Sequence, residues 1–192
     1  MTPGRRRTGE PPGTVTWIVD PRRTRVAYWV CLLGLRMAEG TFHEVSGECR
    51  FDPDHPSSSA TGAARIAVAS IDTGDAELDR THLGPDVFDA ETYPEIVLET
   101  TSITPTGGGH FRMTGDVTIR DVTRPVVFDI DYGGVRAGRR GARRALMTMT
   151  GRVDLADFRL TSSVILRRLV ATRVDLAIEA ELREAVDGEL VA

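Results

Sequence analysis

At 192 residues, with 41% hydrophobic and 27% charged side chains, the chain is long enough to bury a core without help from a disulfide or a metal. A formal net charge of −4 and the lack of a long basic block exclude an electrostatic case for nucleic acid. All 24 basic side chains are arginine; with no lysine there is no P-loop and no Schiff-base nucleophile.

The first stretch, "MTPGRRRTGEPPG" (1–13), has an arginine cluster but no apolar segment behind it. A secretory signal needs roughly 7–15 apolar residues there, so a disordered tail and a cytoplasmic protein are expected. The longest apolar run, "YWVCLLGL" (28–35), is far short of the roughly 20 residues of a membrane span. A single domain over 14–185 is expected, followed by a short tail over 186–192.

Period-two alternation then dominates. "TWIVD" (16–20), "TRVAYWVCL" (24–32) and "GTFHEVSGECRF" (40–51) read as strands, followed by "ARIAVASI" (64–71), "IVLETTSI" (96–103) and "FRMTGDVTI" (111–119). "VVFDIDY" sets Val126, Phe128, Ile130 and Tyr132 against Val127, Asp129 and Asp131. "ALMTMTGRV" (145–153) is weaker. "TRVDLAIEAEL" is the cleanest, with Val174, Leu176, Ile178, Ala180 and Leu182 opposite Arg173, Asp175, Glu179 and Glu181. A strand with one wet and one dry face requires this step length, and a helix would scatter the carboxylates over every side. Turns are expected at 20–22, 52–59, 105–109 and 121–125, and a solvated, arginine- and glycine-rich hairpin loop at 133–143. Eight or nine strands with short connections point to an antiparallel barrel or a sandwich. An eight-stranded barrel has room either for packed side chains or for one small ligand.

One helix is expected, "DAELDRTHL" (75–83), with Asp75 as its cap and Leu78 facing His82 at i,i+4. It opens a polar stretch, 79–96, in which Asp79, Asp86, Asp89, Glu91 and Glu95 surround His82. A transition metal wants at least two imidazole or thiolate ligands held together, and no such spacing occurs, so no metal and no cofactor are expected. No GxSxG, HExxH or GxGxxG is present. His55 lies in a Pro/Ser-rich loop, His110 follows three glycines, and His43 sits near a strand start; all three read as structural or exposed residues. Cys31 and Cys49, 18 residues apart, read as small apolar side chains, with a disulfide as the alternative.

Several of these segments together resemble the YceI-like family of lipocalin-like, polyisoprenoid-binding proteins. The resemblance rests on Trp17 to Pro21, on Val26-Tyr28-Val30, on Gly40, Phe42 and Gly47, and on "SIDTG" (70–74). It continues through His82, Leu83, Phe88, Asp89, Tyr93 and Pro94, and then through Gly115 to Val126. Leu32, Arg80, Asp121 and the segment Leu155 to Arg159 depart from the family pattern. The resemblance implies an all-β, eight-stranded antiparallel lipocalin-like barrel, its end capped by one short helix, with an elongated apolar cavity for a long isoprenoid and no catalytic residues.

The expected function is therefore non-catalytic binding, storage or transport of an isoprenoid or quinone-like lipid by a monomer or homodimer. Met113, Met147 and Met149 suit an adaptable apolar wall, and aromatics are few, at 6%. Val26, Tyr28, Val30, Phe128, Ile130, Met147, Met149, Val174, Leu176 and Ile178 are the expected lining, with Leu83 and Phe88 closing the end. The alternatives are a hydrolase or isomerase using His82 with a neighbouring carboxylate, or a solid barrel whose 133–143 loop binds a partner.

Overall fold

A computed structural model of the chain describes residues 13–32, 35–56, 60–138, 142–160 and 173–185. The expected tails, 1–13 and 186–192, lie outside them except for Gly13. In chain order the elements are β1 (Val15–Val19), β2 (Arg25–Leu32), β3 (Leu35–Phe42), β4 (Val45–Phe51), β5 (Thr61–Ala67), β6 (Ile71–Asp72), α1 (Ala76–Leu83), β7 (Glu95–Gly107), β8 (His110–Ile119), β9 (Val122–Ala137), β10 (Arg143–Asp154) and β11 (Arg173–Glu184).

These eleven segments form eight staves of one closed antiparallel barrel. β1 and β2 both pair with β11, at Val19↔Leu182 and Val26↔Ile178, so they are one stave interrupted by residues 20–24. β3 and β4 form the next stave, broken at His43-Glu44, and β5 and β6 the third, broken by a 3-10 turn at Val68–Ser70. The breaks lie side by side: His43 N–H donates to the Ser70 carbonyl (3.2 Å) and Ala67 N–H to the Glu44 carbonyl (3.0 Å). β7 to β11 continue the meander, and the β1–β11 pairing closes the circle. Closure removes the free edges a sandwich would keep.

Alternation decides which face is dry. Along β8, Met113, Gly115, Val117 and Ile119 are buried in turn; along β9, so are Val126, Phe128 and Ile130. Val127, in the opposite phase, is 51% exposed. Pro125 is tolerated inside β9 because that stretch pairs only with β8; β10 joins on the other side from Phe128 onward. The turn is thus Arg120-Asp121 alone, shorter than the expected 121–125. The expected loop at 133–143 is also mostly strand. β9 continues to Ala137 and β10 resumes at Arg143, with a register shift between Ala145 and Met147 that absorbs the glycines. Val135 packs on the core there, so burial overrides the local loop composition. Residues 139–141 are outside the described set.

The barrel interior divides into two clusters. One end is plugged: Trp17, fully buried, stacks on Phe51 (centroids 5.3 Å), which meets Tyr132 edge-on (5.8 Å), and Ala145 and Leu182 complete the cluster. Just outside, Arg144 binds Asp20 (3.1 Å) and Glu181, and so pins the 20–24 interruption to β10 and β11. The second cluster occupies the rest of the interior and surrounds the cavity described next.

Candidate ligand-binding site

One strand shows how the interior is graded. Successive inward residues of β11, Val174, Leu176 and Ile178, line an open cavity, whereas Leu182 on the same face belongs to the plug. The cavity holds about 390 Å³, within the roughly 300–1,000 Å³ of small-molecule sites. Its walls come from most staves: Val26, Tyr28 and Val30 on β2, Phe42 on β3, Ile66 on β5, Ile96 and Leu98 on β7, Val117 and Ile119 on β8, Phe128 on β9 and Val153 on β10. Phe128 fits because its partner across the sheet is Gly151, where an added Cβ would lie 2.6 Å from the ring.

The roof is the segment between β6 and β7. Asp75 caps α1 by accepting from Glu77 N–H (2.9 Å) and Leu78 N–H (3.2 Å), which starts the helix where the sequence places it. Leu78, Thr81 and His82, at helical spacing, face the cavity, joined by Val87 and Phe88 from the following turn. Arg120, held at a left-handed φ of 57°, fastens this roof to the β8–β9 hairpin: its Nη1 donates to the Val87 carbonyl (3.3 Å) and its guanidinium lies over Tyr93 (5.6 Å).

Of the twelve expected lining residues, Val26, Tyr28, Val30, Phe88, Phe128, Val174, Leu176 and Ile178 line the cavity. Leu83, Ile130, Met147 and Met149 do not; they pack in or against the core cluster. Ile130, Met147 and Met149 have the inward phase but sit further toward the plug, and Met147 touches both clusters. Leu83 is one residue past the face of α1 that meets the cavity. Sequence reasoning missed Phe42, Ile66, Ile96, Leu98, Val117, Ile119 and Val153, although all of them lie within strands already recognised. Leu155 and Leu160, from the turn after β10, also line the cavity; Leu155 continues the alternation of Val153, and no periodic signal marks Leu160.

The polar lining residues are Tyr28, Glu39, Thr73, Thr81 and His82. His82 Nδ1 lies 2.8 Å from the Leu78 carbonyl, so this nitrogen carries the proton and Nε2 is the acceptor of the neutral ring. Phe88 stands beside it (6.3 Å). Asp79, the nearest carboxylate in sequence, accepts from Thr73 N–H (2.9 Å) and Thr73 Oγ1–H (2.6 Å). That arrangement braces the roof and provides no acid–base dyad. Burial, helped by the charge of Asp79, pushes the Tyr28 phenol up to about 12, so it is a proton donor throughout the neutral range.

The other histidines sit on the outside: His43 Nε2 is near Thr41 Oγ1 (3.1 Å) and Asp72 Oδ2 (3.4 Å), His55 near Asp52 (3.5 Å) and His110 near Asp131 (3.8 Å). Among the described residues no three His, Cys, Asp or Glu side chains gather as a metal site. Cys49 is a free thiol packed against the plug, pushed up to about 12 by burial, so the disulfide alternative is not realised at Cys49. The side chain of Cys31 lies outside the described set. No helix among the described residues is long and apolar enough to cross a membrane.

Fold and site define a class: a closed eight-stranded antiparallel barrel, plugged at one end, with a roofed apolar cavity at the other. Residues 17–182 match the YceI-like domain, and the chain belongs to that family. A UPF0312 protein of Vibrio parahaemolyticus is 28% identical over 144 residues, 74% of this chain and 76% of its own. The Campylobacter jejuni YCEI protein has a crystal structure that matches with a TM-score of 0.69 at 25% identity, over 82% of this chain and 91% of that one. A polyisoprenoid binding domain from Saccharophagus degradans, implicated in plant cell wall breakdown, shares the fold with a TM-score of 0.64 at 13% identity, over 90% and 99% of the two chains.

Proposed function

We propose that the protein binds a long-chain isoprenoid or quinone-like lipid in the barrel cavity and stores or carries it in the cytoplasm without chemical turnover. The observation that carries this reading is the cavity itself, about 390 Å³, walled by aliphatic and aromatic side chains from most staves and roofed by α1. Burying a chain there contributes about 0.8 kcal/mol per CH₂, so a long hydrocarbon binds tightly with few polar contacts. Support comes from the family, and from the structural neighbour described as a polyisoprenoid binding domain. The engagement of His82 and Asp79 with the roof, rather than with each other, favours binding over acid–base chemistry.

Thermal unfolding with added geranylgeraniol tests the reading. A ligand at about 100 times its Kd stabilises the folded state by about 2.7 kcal/mol. For a chain of this size that raises Tm by roughly 5–11 °C, at about 2–4 °C per kcal/mol. An unchanged Tm at saturating isoprenoid contradicts the proposal.

A further inference from the structure

Within one row of cross-strand partners the interior changes from open to filled. Ile178 on β11 borders the cavity, but its partner Met149 on β10 does not, and neither does Ile130, the partner of Met149 on β9. One row deeper, Ala180 pairs with Met147, and Met147 with Tyr132, which packs on the plug. Met147 touches both interior clusters, whereas Met149 belongs to the one around the cavity. On β8, Met113 is paired with the cavity-lining Phe128 and is buried in the same cluster without reaching the open space. A floor thus separates the cavity from the aromatic plug, and three of its side chains are thioethers.

The floor differs mechanically from what surrounds it. Below it the plug is a set of locked rings, Trp17 on Phe51 and Phe51 against Tyr132. The walls above are largely Val and Ile, which are stiff at χ1. Methionine is unbranched, has three rotatable bonds and adapts to irregular space. Met113 is the tethered member, its Sδ accepting from Thr100 Oγ1–H (3.5 Å), so Met149, beside Ile178, is the one placed to yield. The open wall above it runs from Val174 to Ile178 on β11 and from Val30 to Val26 on β2, its register partners. At about 3.3 Å per residue this is about 13 Å of wall. An extended isoprene unit, four chain bonds of about 1.5 Å in zigzag, advances about 5 Å, so about three units fit before the chain meets Met149.

Resting on the lipid reading above, we propose that Met149 sets the length of chain the barrel buries, about three isoprene units, and that longer chains leave the remainder outside the cavity. Competition against bound Nile red on the full-length protein tests this with geraniol, farnesol and geranylgeraniol, of two, three and four units. Because each buried CH₂ adds to affinity, the step from geraniol to farnesol is expected to lower the displacing concentration about tenfold or more. The step from farnesol to geranylgeraniol, which buries little more, is expected to lower it less than about threefold. Met149→Ala is expected to raise the second step to about tenfold, and Met149→Phe to reduce the first below about threefold. Met149→Leu, of similar volume, keeps the parent profile. If Met149→Ala does not fold, Met149→Phe decides alone: loss of farnesol's advantage supports the assignment and its retention overturns it. Equal gains at both steps in the parent, or a parent profile in Met149→Ala and Met149→Phe alike, overturn the floor and leave the lipid reading standing. Failure of all three alcohols to displace bound dye overturns the lipid reading itself, and this inference with it.

Discussion

Leu176→Trp is expected to abolish the isoprenoid-dependent rise in Tm, with at least a tenfold loss of affinity, while the unliganded protein stays within about 1 kcal/mol of the parent. The argument turns on volume. Leu176 stands between Val174 and Ile178 on the inner face of β11 and borders the cavity. In a solid core, added bulk forces neighbours off their rotamers and costs about 1–3 kcal/mol. In an open cavity of about 390 Å³ the indole has somewhere to go, and it occupies space the lipid needs. Equilibrium urea unfolding gives the stability and dye displacement gives the affinity. A variant destabilised by several kcal/mol would show that the interior is packed.

Trp17→Ala is expected to have the opposite signature: a stability loss of about 3–5 kcal/mol, with lipid affinity preserved in the folded fraction. Trp17 is fully buried at the plugged end, and its removal opens a void that its neighbours fill only in part. The stack on Phe51 is lost as well; such pairs contribute about 0.5–1.5 kcal/mol beyond their burial. Among the described residues the indole N–H has no hydrogen-bond partner, so the substitution orphans none of their acceptors. Against a total stability of about 5–15 kcal/mol, this is a large fraction. At about 2–4 °C per kcal/mol, Tm should fall by roughly 6–20 °C. An unchanged Tm would mean that the plug contributes little to the fold.

The two variants probe a division that the sequence expressed only in part. Alternation along "VVFDIDY" and "TRVDLAIEAEL" reported which side chains point inward, because period two is a property of each strand alone. Height along the barrel is a different matter. Ile130 and Phe128 share a phase, yet only Phe128 borders the cavity, because the level at which Trp17, Phe51 and Tyr132 fill the interior depends on three strands distant in sequence. The same limit hid the staves. "TWIVD" and "TRVAYWVCL" look like separate strands, and only their shared partner, β11, shows them to be one.

The helix was legible because its cap is local, Asp75 sitting immediately before the first turn. The 79–96 stretch was misleading in charge but not in place. Its acidic density suggests chemistry, whereas Asp79 braces Thr73 and His82 braces its own helix. At 133–143 the glycines and arginines suggest a loop, whereas pairing with β10 and the packing of the half-buried Val135 against the plug make strand of 133–137 and 143. Composition reads exposure well, but it does not register a partner strand.

Organic extraction of the purified protein, followed by mass spectrometry, tests the central claim most directly. A long-chain isoprenoid recovered at up to one molecule per chain from the parent, and lost from Leu176→Trp, is the expected result. An extract without lipid, from a protein that also fails to take up added geranylgeraniol, would contradict it.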